Sequence, residues 1–300
     1  METRLDLSVV ILHYNDLKMT QAYIDNLKKL DWRGITYHFL IVDNASPDGS
    51  GQQLQRLYED DLDTVVICSE KNLGFPKGNN LGIEYAVSRY QSNIVVVSNN
   101  DIVIEDTDFM QKLTEIYIRE KPDVLGPDIY STRKEIHQSP LRSCHFSEEA
   151  LRSKIDSIEQ TLWKLRIIDK IKVYDLLSRV KKFLGKRHQN ASNYDIAQEG
   201  AVVHGAFFVL TEGYLQAYPD GLFPDTFLYM EEDILNYRVR RKNLKSLYDP
   251  SLAVVHLDGV SSLKKTKGNR CKKFIFELEQ TRLSCQAMLA YMEVELEEWQ

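Results

Sequence analysis

Residues 38–50 read HFLIVDNASPDGS. A run of apolar, β-favouring residues stops at Asp43, a polar turn containing Pro47 and Gly49 follows, and helix-compatible sequence begins at about residue 52. Uninterrupted apolar character of this kind suits a strand buried on both faces of a parallel sheet. The same punctuation recurs on either side. Residues 7–12, 64–68 and 94–98 read as further buried strands, with 17–30, 52–59 and 78–90 as the helices among them. That β-α-β-α order predicts an α/β fold with a Rossmann-like, mostly parallel central sheet and flanking helices on both faces. Residues 106–120 read as another helix, ended by Pro122.

Downstream the pattern changes. Residues 147–187 are almost continuous charged helical sequence without a strand candidate. A buried strand returns at 201–210, followed by a helix at 232–242, a strand at 252–255 and a long helix at about 270–298. The expected organisation is one α/β domain over residues 1–300, with a helical insertion at about 147–190 and a C-terminal helix.

Three hundred residues are enough to bury a large core without disulfides. The net charge of -6 argues against a surface given over to nucleic acid, and no nucleic-acid partner is expected. Cys68, Cys144, Cys271 and Cys285 contain no C-x-x-C pair, which disfavours a zinc ribbon or a thioredoxin-like site. Free thiols in a reducing compartment are expected. The first apolar run is too short for a signal peptide, and no segment approaches the roughly 20 apolar residues of a membrane-spanning helix. The expected location is cytoplasmic, or peripheral at the inner face of the cell membrane.

In an open parallel sheet, ligands bind beyond the carboxyl ends of the strands. Asp43 ends FLIVD, Asn99-Asn100-Asp101 ends IVVVSNND, and His256 ends LAVVH. Singly these are ordinary: Asp43-Asn44 and Asp101 suit turns or helix caps, and a lone histidine is more often structural. Three such strand ends together point to a site. A second polar loop runs from Asn72 to Asn80, NLGFPKGNN, where Gly74 and Gly78 permit close backbone approach and Lys77 offers a cation to an anionic ligand. Neither loop is a Walker loop, and no G-x-G-x-x-G follows the first strand, which ends His13-Tyr14-Asn15-Asp16. Phosphate-loop hydrolases and dinucleotide oxidoreductases therefore lose ground.

Glu231-Glu232-Asp233 opens a predicted helix, where an acidic first turn suits the helix macrodipole. Gly205-Ala206 follows His204; small residues there suit either a ligand near the backbone or a tight strand crossing.

Taken in order, VVILHYN, VDNASPDGS, NLGFPKGNNLGI, NND, HGAFFVL, FLYMEEDILNYR and VVHLDG resemble the family 2 inverting glycosyltransferases. The similarity covers about residues 6–130 and 200–262 and is nearest to the rhamnosyltransferase-like members that build bacterial surface polysaccharides. It implies a GT-A fold, a UDP- or dTDP-linked sugar donor, and displacement with inversion at the anomeric carbon. It further implies that Asp43 accepts a hydrogen bond from the pyrimidine base, with Asn44, Asn72, Gly74, Lys77 and Asn80 in the nucleotide loops. Asn99 and Asn100 would lie near the ribose and the metal, and Gly205 beside the sugar. A divalent cation, Mn²⁺ or Mg²⁺, would be held by Asp101 and His256. Asn99 stands where the familiar D-x-D pattern has its first aspartate. The resemblance makes one of Glu231, Glu232 and Asp233 the general base, and its register favours Glu232 with Asp233 as rival. A sugar nucleotidyltransferase would show a glycine-rich start that is absent; a glycosyltransferase-like subunit without activity would tolerate the departures at NND and EED.

Between Trp163 and Arg187 there are nine Lys or Arg against two Asp. Val173, Leu176, Leu177, Val180, Phe183 and Leu184 share one helical face, with Arg179, Lys181 and Lys182 away from it. Trp163, Ile167, Ile171 and Tyr174 define another. Such a segment suits a packed helical hairpin, or a basic surface resting on anionic lipid beside a glycan or polyprenyl-linked acceptor.

Overall fold

The computed structural model describes residues 5–141, 147–170, 191–258 and 270–297. The apolar run LDLSVVILH forms β1 (Leu5–His13), which pairs in parallel with β2 (Ile35–Asp43) on one side and β4 (Ile94–Asn99) on the other. β2 continues in parallel to β3 (Thr64–Cys68). The alternating side chains explain why these strands have no polar face. Val9, Ile11, Phe39, Ile41 and Val96 enter one buried cluster, whereas Val10, Leu40, Val42, Val95 and Val97 enter another. Helices α1 (Leu17–Leu27), α2 (Ser50–Leu57) and α3 (Gly74–Tyr85) connect the strands, and α3 runs on into a π-helical turn at Ala86–Tyr90. All four expected strands of this half are present.

Beyond β4 come β5 (Ile102–Val103), α4 (Phe109–Glu120), β6 (Val124–Ser131), β7 (Ile136–His137), α5 (Glu148–Lys170) and β8 (Gln198–Glu199). They are followed by β9 (Phe207–Thr211), α6 (Glu212–Ala217), α7 (Glu231–Arg241), β10 (Ser246–His256) and α8 (Arg270–Glu297). The sheet order is β3-β2-β1-β4-β9-β6-β10-β5, with β7 on β6 and β8 on β10. β9 is antiparallel to both β4 and β6, while β6 and β10 are parallel to each other.

β6 is not legible as a strand because Gly126-Pro127-Asp128 imitates a turn. Proline lacks the N–H a ladder needs. The structure absorbs it where the register of β10 shifts between Asp249 and Ala253, opposite Pro127 and Asp128. The strand expected at 201–210 begins only at Phe207; before it, Val202 makes a single bridge to Leu141. The strand expected at 252–255 is part of the longer β10.

Two compact units are present. The sheet and its connecting helices form one; α5, residues 225–230 and α8 contribute to the other. In the second, Leu151, Ile158, Leu162 and Leu165 recur on one face of α5, and Cys285, Met288, Leu289 and Met292 on one face of α8, all buried. Cys271 and Cys285 share α8, where both are buried. The face spanning Val173 to Leu184, with Arg179, Lys181 and Lys182, lies outside the described residues, as do Ile171 and Tyr174. No helix among the described residues is long and apolar enough to cross a membrane.

Candidate functional site

The parallel register brings the ends of β1, β2 and β4 level, with His13 opposite Asp43 and Leu12 opposite Asn99. Asp43 is 2% exposed. Both its carboxylate oxygens accept from the Ser46 amide, at 3.2 and 3.4 Å, so its visible work is to close the 43–50 turn. A Cβ on Gly51 would lie 2.0 Å from Asp43 Oδ2, so glycine is required for α2 to start this close to the carboxylate. A carboxylate has about four lone-pair sites, which leaves capacity for a further N–H.

Asn44 joins the two polar loops. Its Oδ1 accepts from the Leu73 amide at 2.7 Å, and its Nδ2 donates to the Gly74 carbonyl at 2.9 Å. Asn72 Oδ1 in turn accepts from the Gly74 amide at 3.0 Å. Gly74 itself has φ +79°, a conformation that favours glycine. Lys77 stands exposed in the first turns of α3. Asn80 takes both polar groups of Leu222, accepting from its amide at 2.8 Å and donating to its carbonyl at 2.7 Å. Asn44, Asn72 and Asn80 thus hold loops in place through their amides.

The turn after β4 meets the end of β10. The Leu257 amide donates to the Asp101 carbonyl at 2.9 Å, and His256 pairs with Ile102 of β5. His256 Nε2 faces Asp101 Oδ1 at 3.4 Å, while Nδ1 donates to Gln138 Oε1 at 3.0 Å and lies 3.4 Å from Asp258 Oδ1. With the proton on Nδ1, the Nε2 lone pair turns towards Asp101, the tautomer that metal binding requires. Neighbouring ligands bonded to one divalent cation at about 2.1 Å sit roughly 3 Å apart. Asp101 and His256 therefore fit a cation as two ligands. Among the described residues no group of three or more His, Cys, Asp or Glu is arranged to hold a metal alone, so water and a ligand's own oxygens would complete the shell. Sequence reasoning missed the supports of His256: Gln138, Asp258, and Ser131, which donates to Asp258. Asp258 was visible in VVHLDG; Gln138 carried no signal.

Glu231, Glu232 and Asp233 form the first turn of α7. Tyr229 and Met230 before it both have left-handed backbone, at φ 70° and 72°, a costly conformation for non-glycine residues. Glu232 Oε1 accepts from the Gly205 amide at 3.0 Å. A Cβ on Gly205 would come within 2.8 Å of that oxygen. His204 Nδ1 accepts from the Ala206 amide at 3.1 Å, and its ring centroid lies 6.2 Å from that of His256. Burial lowers the His204 pKa, against the attraction of Glu232 and with the help of His256. Glu232 is thus tied to the start of β9, a short step from the Asp101–His256 pair. Arg238 fixes α7 from behind. It is buried, bonds both oxygens of Asp220 at 2.7 and 2.8 Å, donates to the Gly221 carbonyl at 2.7 Å and stacks 3.9 Å over Tyr218.

A parallel sheet with an antiparallel strand beside its central strand, and carboxylates gathered on its carboxyl edge, belongs to the GT-A class of α/β folds. Residues 8–181 match the family model Glycosyl transferase family 2, and the chain belongs to that family. It is 28% identical over 158 residues to a dTDP-rhamnosyl transferase of Shigella flexneri, a match covering 52% of this chain and 48% of that protein. It is 25% identical over 245 residues to a low-salt glycan biosynthesis hexosyltransferase of Haloferax volcanii, covering 80% of this chain and 63% of the relative. The chain therefore spans about half to two thirds of these relatives.

Among solved structures, Staphylococcus aureus TarS (residues 1–349) aligns over 87% of this chain and 62% of its own, with TM-score 0.53 and 13% identity. The mannosyltransferase PcManGT of Pyrobaculum calidifontis, solved with GDP-Man and Mn2+, aligns over 96% of this chain and 70% of its own, with TM-score 0.52 and 13% identity. At that identity these two likenesses concern the fold.

Proposed function

We propose that the chain is an inverting, metal-dependent hexosyltransferase. It moves rhamnose or a similar hexose from a UDP- or dTDP-linked donor to a glycan or polyprenyl-linked acceptor in cell-surface polysaccharide synthesis. The observation that carries this reading is the bond from the Gly205 amide to Glu232, close to the facing pair Asp101 and His256. A base and a cation-binding pair on one edge are what transfer from a nucleoside diphosphate needs. The names of the two relatives support the hexose and the nucleotide-linked donor. The Mn2+ in the mannosyltransferase structure supports a divalent cation, Mn²⁺ or Mg²⁺.

In this reading Asp43 accepts the N3–H of a pyrimidine base through its remaining lone pairs. Asn99 and Asn100 meet the ribose, and Lys77 faces the diphosphate. Asn44, Asn72, Gly74 and Asn80 keep the two loops spaced for the nucleotide. A divalent cation held by Asp101 and His256 would neutralise the charge that develops on the departing diphosphate. Glu232 takes the proton of the acceptor hydroxyl as its oxygen bonds the anomeric carbon, and the bond to the diphosphate oxygen breaks on the opposite face. Glu231 and Asp233 set the charge around it. The basic segment at 171–187 supports an anionic membrane surface as the place where a lipid-linked acceptor is met.

The test is thermal unfolding of the purified chain with UDP-, dTDP- and GDP-sugars, each with and without Mn²⁺. A ligand that binds only the native state raises the melting temperature. A pyrimidine nucleotide sugar that stabilises only when metal is present is the expected result. A chain that no nucleotide sugar stabilises, with or without metal, is not this enzyme.

A further inference from the structure

Beneath the donor edge lie three buried polar side chains, His13, Thr20 and Ser50, that the proposed mechanism does not use. His13, at the end of β1, is 0% exposed. Its Nδ1 lies 2.7 Å from Thr20 Oγ1 of α1, and its Nε2 lies 2.8 Å from Ser50 Oγ of α2. Ser50 Oγ is 2.5 Å from Asp48 Oδ1 at one end, and Asn100 Nδ2 is 2.9 Å from Thr20 Oγ1 at the other. One unbroken line thus connects the 43–50 turn to the turn after β4.

Its proton order follows from one end. An ionised carboxylate only accepts, so the single proton of Ser50 goes to Asp48. The Ser50 oxygen must then accept from His13, which places the ring hydrogen on Nε2. Burial lowers the His13 pKa against the pull of Asp43, Asp48 and Asp16, so the ring is neutral at pH 7 and Nδ1 is an acceptor. The proton of Thr20 is spent on Nδ1, and Thr20 can only accept from its remaining neighbour. That neighbour must be an N–H, which fixes the amide of Asn100 with its nitrogen inward.

We propose that His13, locked as the Nε2–H tautomer, is a positioning residue that makes Asn100 offer its carbonyl oxygen to the donor. The ligand's identity rests on the nucleotide-sugar reading above. An oxygen at this place accepts from a ribose hydroxyl, whereas the amide nitrogen would seek a phosphate oxygen. The line also ties the ribose side of the site to the base side through the protein interior.

Thr20→Val removes the relaying hydroxyl at nearly constant shape, and Thr20→Ser restores it. Calorimetry with UDP and Mn²⁺ should show affinity reduced about tenfold in Thr20→Val, the worth of one hydrogen bond, and near wild type in Thr20→Ser. A lower melting temperature with unchanged UDP affinity would mean a merely structural role and would overturn the proposal. A long-range ¹H–¹⁵N spectrum of the wild-type chain reads the tautomer without any nucleotide. Nε2–H on His13 is expected, and Nδ1–H would reverse the line and overturn the orientation of Asn100. If the wild-type chain bound no UDP, the proposed function would fall, while the spectrum would still decide that orientation.

Discussion

The two flanks of β4 are assembled by different means. On the β1 side every strand is parallel to its neighbour, each is followed by its own helix, and the polar residues sit where the chain leaves the sheet. On the β9 side the neighbouring strand is antiparallel, so the chain reaches the same edge as it enters the sheet, through His204 and Gly205. On the first flank the turn after β2 closes on the Asp43 carboxylate through the Ser46 amide. Just before β9 the Gly205 amide holds Glu232. One flank is suited to gripping a nucleotide, the other to holding a base beside it. If that division is correct, substitutions on the two sides should fail in different ways.

The largest separation is expected for Glu232→Gln. General-base assistance contributes about 10²–10⁴-fold in rate, so transfer should fall by that order while UDP affinity stays near wild type. Asp233→Asn serves as the control of register and should keep much more activity. Should Asp233→Asn be the inactive variant and Glu232→Gln still transfer sugar, the bond to Gly205 would be structural and the base would be Asp233.

At the turn after β4, where Asp101 faces His256 of β10, Asp101→Ala should abolish the part of nucleotide binding that depends on Mn²⁺. Outer supports of metal ligands already cost about 10–100-fold when changed, and a direct ligand should cost at least that. Asp43→Asn should weaken UDP binding less and leave its metal dependence intact. Titrations that find both variants equally dependent on metal would remove Asp101 from the cation.

The smallest effect is a test of how α7 is held. Arg238→Met deprives the Gly221 carbonyl and Asp220 of their buried partner, a loss of about 1–3 kcal/mol. At roughly 2–4 °C per kcal/mol for chains of this size, the melting temperature should fall by several degrees with UDP affinity unchanged. A variant as stable as wild type would show that α7 is anchored elsewhere.

The same division governs what sequence could reveal. The strands β1 to β4 are legible because each β-α-β step is local and its apolar run is continuous. The strand β6 escapes because Gly126-Pro127-Asp128 follows the local rules of a turn, and only its pairing with a shifted β10 overrides them. Asp43, Asp101 and His256 stand out as polar ends of apolar runs. Nothing in their spacing says that Asp101 meets His256, since the two are far apart in the chain and are joined through β5 and β10. The roles of Asn44 and Asn80 are equally hidden: an amide that bonds loop backbone and one that faces a ligand look alike in sequence. In sequence His13 reads only as the end of a strand. The hydroxyls that flank it, Thr20 and Ser50, carry no signal until the fold brings them to its two ring nitrogens.

The bond between Gly205 and Glu232 also makes the two carboxylate oxygens unequal. An oxygen already accepting an amide hydrogen is the poorer proton acceptor of the two. In the proposed reaction the acceptor's proton is therefore received at Oε2, and the hydroxyl that loses it has to approach from that side. A fixed angle of approach at the base restricts which hydroxyl of a multi-hydroxyl acceptor can face the anomeric carbon, and so bears on the regiochemistry of the linkage formed.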